Sequence, residues 1–169
     1  MPMDRSRITL YVVGLILIAL AWAVGGHEIT SYAPYYVQRA LGKSATVQVH
    51  GQTLKVEVER SDRAKAKGLG ERSKLVDGRG MLFLFDSPST YEFWMKDMRF
   101  AIDIVWIANG VIVDISRGVL PPGAGETPVS VQPHVPVDTV LEVQSGAAAN
   151  WELGDAVTIT HHRFLHHSP

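Results

Sequence analysis

Gly80-Met81-Leu82-Phe83-Leu84-Phe85, Tyr91-Glu92-Phe93-Trp94-Met95-Lys96-Asp97-Met98 and Ile102-Asp103-Ile104-Val105-Trp106-Ile107 form the densest apolar region of this chain. These three short runs are rich in aromatic, β-branched and methionine side chains and are interrupted only by turn-forming residues. They predict consecutive strands of one compact β-rich domain. The middle run is unusual because Phe93, Trp94, Met95, Lys96 and Met98 fall within six positions, giving both faces of a strand large side chains and placing a cation among them. Strand alternation puts Phe93, Met95 and Asp97 on one face and Trp94, Lys96 and Met98 on the other.

Working outward, Val47 and Val49, then Leu54, Val56 and Val58, alternate with polar neighbours about His50-Gly51-Gln52. This is the pattern of a hairpin with one wet face. Asp62 to Lys67 are good helix formers, bounded by Ser61 or Asp62 as a cap and by Gly68, and predict a short helix. Asn109-Gly110 predicts a two-residue type I′ hairpin. A proline- and glycine-rich loop runs from Pro121 through Pro136, and strand character returns at Val140 to Gln144. Ser145 to Trp151 reads as a helical turn, Gly154-Asp155 as a tight turn, and Ala156 to Thr160 as a last strand. The expected fold class is α+β and mostly β: a single antiparallel-rich domain, barrel- or sandwich-like, with one or two short helices, preceded by an N-terminal transmembrane helix.

The expectation of a membrane segment rests on residues 8–24, where 17 positions are apolar apart from Thr9 and Tyr11. That length is near the minimum for crossing a bilayer core. Ala21-Trp22-Ala23 also has the form of a signal-peptidase site, so an uncleaved anchor, a signal cleaved after Ala23 and a buried core helix all remain open. In the first two readings Arg5 and Arg7, in the basic tip of residues 1–7, hold the N-terminus in the cytoplasm. The domain would then lie outside the cell membrane, periplasmic or extracellular on a single-pass anchor, or secreted. Residues 25–44 form a juxtamembrane linker with Tyr32, Tyr35 and Tyr36, residues 45–160 the β-rich domain, and residues 161–169 a His-rich tail.

Composition excludes several functions. The chain of 169 residues carries 16 basic and 17 acidic residues, with alternating signs, so no clustered basic field exists for nucleic acid. The absence of cysteine excludes disulfides, thiol catalysis and thiolate metal sites. No cofactor motif occurs: a Ser-His-Asp order, a zinc-protease helix and a phosphate-cradling loop are all missing.

Gly68-Leu69, Arg72, Gly80 to Phe85, Phe93 to Lys96, Ile102 to Ile104, Gly110, Glu142-Val143 with Gly146, and Gly154-Asp155 occur in an order that resembles the domain of unknown function 192 family. The resemblance covers Val47 to Thr160. It implies a small, mostly β domain of prokaryotes, often exported or anchored, with no established activity, cofactor or catalytic residue. Gly70 stands where that family commonly has methionine, and Ala101 where proline is frequent. If that methionine lines a shared cavity, the cavity here is wider.

Trp94 and Lys96 on an outward face would present a ring and an ammonium together, able to hold an anionic or carbohydrate ligand; packing at the sheet edge is the plainer alternative. Arg72, Phe93, Trp94, Lys96 and Asp103 are the ligand-binding candidates. Asp103, between two isoleucines, needs a partner if buried, with Arg72, Arg99 and Lys96 as options. Glu142, between Leu141 and Val143, raises the same question, and Asp103 and Glu142 facing one cleft could perform acid and base work. His162 and His166 have the spacing of a metal pair on a helix, but a mobile tail is the better reading, because termini fray and nothing there supplies an orienting second shell.

These observations favour a membrane-anchored, outward-facing binding module for an envelope glycan, an exported polypeptide or a membrane-protein partner. The alternatives are an accessory subunit of a larger membrane complex and a carboxylate-dependent hydrolase or lyase on envelope polysaccharide.

Overall fold

A computed structural model describes residues 43–161. The anchor or signal of residues 8–24 and the histidines His162 and His166 lie outside the described residues.

Among the described residues nine strands and one helix follow in chain order: β1 (Ser44–Val49), β2 (Gln52–Glu59), α1 (Asp62–Lys67), β3 (Arg79–Ser89), β4 (Phe93–Trp94), β5 (Ile102–Ala108), β6 (Val111–Val119), β7 (Ser130–Val131), β8 (Val137–Gln144) and β9 (Val157–His161). Both hairpin turns follow from their residues. His50-Gly51 and Asn109-Gly110 adopt positive φ at both central positions, the geometry whose twist matches the flanking strands. The Ser61 hydroxyl accepts from the Ala64 amide at 3.4 Å to start α1, and Gly68, at φ 51°, ends it.

Seven strands form one sheet in the order β6-β5-β8-β3-β2-β1-β9, while β4 and β7 pair as a separate ribbon. All pairings are antiparallel except β2 with β3, which α1 and the segment after it connect as a crossover. The sheet curls into half a barrel. Its outer strands meet at one end only, through Ile112 N–H to Asp155 C=O at 3.0 Å, Gly154 N–H to Ile112 C=O at 2.8 Å and Val157 N–H to Gly110 C=O at 2.8 Å.

The curl creates two cores. Inside it, every strand of the sheet contributes: Val47, Val56, Leu82, Val105, Ile112, Leu141 and Val157 pack with Trp151. Outside it, Met81, Phe83, Ile104, Trp106 and Val140 meet Phe93, Met95, Met98 and Leu69 from the β4 region and the crossover. The middle run of the sequence therefore does not make a long strand. After Trp94 the chain turns, Asp97 takes φ 58°, and Met98 N–H bonds Met95 C=O at 3.2 Å. Met98 is consequently buried with Phe93 and Met95, correcting the expectation that it shares a face with Trp94 and Lys96.

Candidate functional site

The crossover is what produces a site. Running from β2 to β3, it lays the last turn of α1 across the outer face of β8 and beside β4. Between them lies a cavity of about 140 Å³ lined by Lys65, Gly68, Tyr91, Trp94, Met98 and Glu142, among others. A water needs about 10–15 Å³ by this measure, so the space exceeds one solvent molecule, yet it falls short of the usual drug-sized pocket. It suits one ring or one end group.

Trp94 forms a wall. The residue is 51% exposed, and its indole N–H donates to the Ala66 carbonyl of α1 at 3.3 Å, fixing the ring across the cavity mouth. Lys96 Nζ sits 5.0 Å from the Trp94 ring centroid, and Lys65 Nζ 4.2 Å from that of Phe85. Phe85 stacks on Tyr91 at 3.6 Å between centroids, continuing the aromatic wall. Lys67 is held by Glu71 at 2.9 Å. Two cations thus stand over aromatic faces at the rim, where attraction to the ring holds them without neutralising their charge.

Glu142 forms the floor. Its carboxyl is buried in the middle of β8, and burial pushes its pKa up to about 8 although the Arg72 guanidinium and a hydrogen bond from the Leu69 backbone pull it down. Oε2 has no hydrogen-bond partner within the protein. Gly68, at φ 51°, lies directly over it, so that a Cβ added there would come 3.5 Å from Oε2.

Asp103 is placed differently. Register pairs Ile104 with Glu142 and Asp103 with Val143, so successive side chains on these neighbouring strands send the two carboxyls to opposite faces of the sheet. Asp103 accepts from the backbone amides of Gly118 at 2.8 Å, Gly146 at 2.9 Å and Ala148 at 3.1 Å. Its partners are therefore amides that tie β6 and the turn after β8 to β5, and not Arg72, Arg99 or Lys96 as the sequence led us to expect. A shared cleft for Asp103 and Glu142, which the hydrolase or lyase reading requires, does not form.

Arg72 is gripped bidentately by Glu57, at 2.6 and 2.7 Å, and is not among the residues lining the cavity. Phe93 lines it but is mostly buried, edge-on to Phe83 at 5.0 Å and to Trp106 at 5.4 Å. Gly70 is not among the residues that line the cavity. An added Cβ would meet the Lys67 carbonyl at 2.9 Å and the Lys96 carbonyl at 3.3 Å, so glycine lets the turn after β4 close against the end of α1. Sequence reasoning missed Lys65, Gly68 and Tyr91, because nothing local announces that the crossover will cover β8. Among the described residues no group of three or more His, Asp or Glu could hold a metal ion.

A model of the domain of unknown function 192 family, described as uncharacterized ACR, matches residues 45–160. The chain belongs to this family. A crystal structure of a protein of unknown function from Novosphingobium aromaticivorans is 30% identical, with a TM-score of 0.59 over 68% of this chain and 83% of that one. A Sinorhizobium meliloti protein described as a proposed transcription regulator is 24% identical, with a TM-score of 0.61 over 69% of this chain and 92% of its own. At that identity the second likeness speaks to the fold alone. No curated protein matches the chain.

Proposed function

We propose that this family member is a binding module, held outside the cell membrane by residues 8–24, that takes one sugar residue of an envelope glycan into the cavity beside Trp94. The half-exposed Trp94 ring at the cavity mouth carries this reading, because a sugar ring stacks its apolar C–H face on an indole while its hydroxyls meet polar neighbours. The fixed indole N–H lowers the ordering cost of that contact. Lys65 and Lys96 at the rim add attraction for acidic groups. A paired-carboxylate hydrolase finds no support in the opposed directions of Asp103 and Glu142.

Two measurements test this. Full-length protein in mild detergent should co-sediment with purified envelope polysaccharide, and Trp94→Ala should abolish sedimentation while leaving the melting temperature within a few degrees. Retention of binding by that variant would remove the site. A reporter fused after Pro169 should be active only outside the cytoplasm; activity confined to the cytosol would remove the location and with it the glycan.

A further inference from the structure

The floor of the cavity indicates which sugar. Resting on the glycan reading above, we propose that the site selects an acidic sugar, a hexuronate, whose carboxylate enters first and accepts a hydrogen bond from the Glu142 carboxylic acid.

The argument begins with the unpartnered oxygen. Glu142 borders the cavity, accepts from the Leu69 backbone and keeps one buried oxygen, Oε2, that no group of the protein bonds, a demand that a group entering the cavity can meet. A protonated carboxyl that accepts at one oxygen carries its proton on the other and can donate from there. Glu142 stays protonated at neutral pH because burial raises its pKa to about 8. A donor at the floor demands an acceptor on the ligand. An acid–carboxylate pair makes one of the shorter and stronger hydrogen bonds available, and a second carboxylate is tolerated only while Glu142 keeps its proton.

The charges around the floor agree. From α1, Lys65 and Lys67 face the cavity, the latter paired with Glu71; from the β4 region come Tyr91, Glu92 and Lys96; from the crossover, Arg72 acts on Glu142 through its field while bonded to Glu57. Cations predominate, which favours an anion. Trp94 requires that the anion carry a ring with an apolar face. A hexuronate meets both demands, and the modest cavity accommodates one residue, either free or terminal on an acidic glycan.

The test is calorimetric titration of the full-length chain in mild detergent with glucuronate and with glucose, at pH 6 and pH 9. We expect glucuronate to bind at pH 6 and about tenfold more weakly at pH 9, where roughly one-tenth of Glu142 retains its proton. Glucose should bind more weakly than glucuronate at pH 6. Glu142→Gln keeps a donor at this position, and should bind glucuronate within about threefold of the parent at pH 6 with no loss at pH 9. Glu142→Leu, which has no donor, should lose tenfold or more while still melting cooperatively. Equal glucuronate affinity at both pH values, or undiminished binding by Glu142→Leu, overturns the acid-donor role and leaves the glycan reading standing. Absence of binding by either sugar at both pH values overturns the two together.

Discussion

Asp103 and Glu142 occupy adjacent strands one register position apart, both buried in apolar surroundings, and the fold treats them in opposite ways. Asp103 faces the interior of the curled sheet and is saturated by three backbone amides. Glu142 faces outward beneath α1, keeps one oxygen unpartnered and borders a cavity. A one-residue offset in register, which sends neighbouring side chains to opposite faces, separates a carboxyl saturated by backbone donors from one that borders a cavity. A buried polar group braces the fold where backbone donors converge on it, and keeps its hydrogen-bonding capacity where they do not.

The largest expected effect concerns the outward carboxyl. Raised from 4.5 to about 8, Glu142 contributes stability that is complete below pH 4.5 and is lost as the pH rises through 8. Between those limits the fold should lose up to about 5 kcal/mol, read by urea denaturation at successive pH values. Glu59, whose pKa burial also raises, adds a slope of the same sign. Glu142→Gln isolates the larger share by flattening the curve. An unchanged slope in that variant would break the contrast between the two groups.

The inward carboxyl should respond to deletion in place of pH. Asp103→Ala strands three amide donors and should cost about 4 kcal/mol in urea, whereas Glu142→Leu, which removes an under-satisfied group, should cost less than about 1 kcal/mol at pH 7. Similar losses from both substitutions would erase the distinction drawn here.

Arg72→Met sharpens the picture. It breaks the bidentate pair with Glu57, at a cost of about 3 kcal/mol, and removes a field that lowers the Glu142 pKa. The midpoint of the pH-dependent loss should therefore move to more alkaline pH. An unmoved midpoint would mean that the guanidinium does not act on the floor.

The smallest effect tests the closure over the outer face. Gly70→Ala forces a Cβ within 2.9 Å of the Lys67 carbonyl and should cost about 1–2 kcal/mol, read as a lower urea midpoint. A neutral result would show that the turn after β4 yields easily.

Much of the fold was readable residue by residue. The two hairpins follow from His50-Gly51 and Asn109-Gly110, and α1 from its Ser61 cap and Gly68 stop, because turns and caps are chemistry of a few neighbouring residues. The strand runs follow from alternation. The sequence misleads where local pattern meets a distant partner. The run around Trp94 looks like a long strand, yet only Phe93 and Trp94 pair with Ser130–Val131, and after Met95 N–H bonds the Val129 carbonyl at 2.9 Å the chain turns, with Asp97 at φ 58°. Trp94 and Lys96 stood out in the sequence, and the fold brings them together at the cavity mouth.

Sequence alone determined that a β-rich domain of this family would form, that it would lack thiol chemistry and a basic field, and that two carboxyls would lie in apolar strands. Tertiary structure alone decided which carboxyl met backbone donors and which met a cavity. The reason is that satisfaction of a buried charge depends on chain segments 15 to 45 residues away, as Gly118, Gly146 and Ala148 are from Asp103, and no local pattern encodes where those segments return.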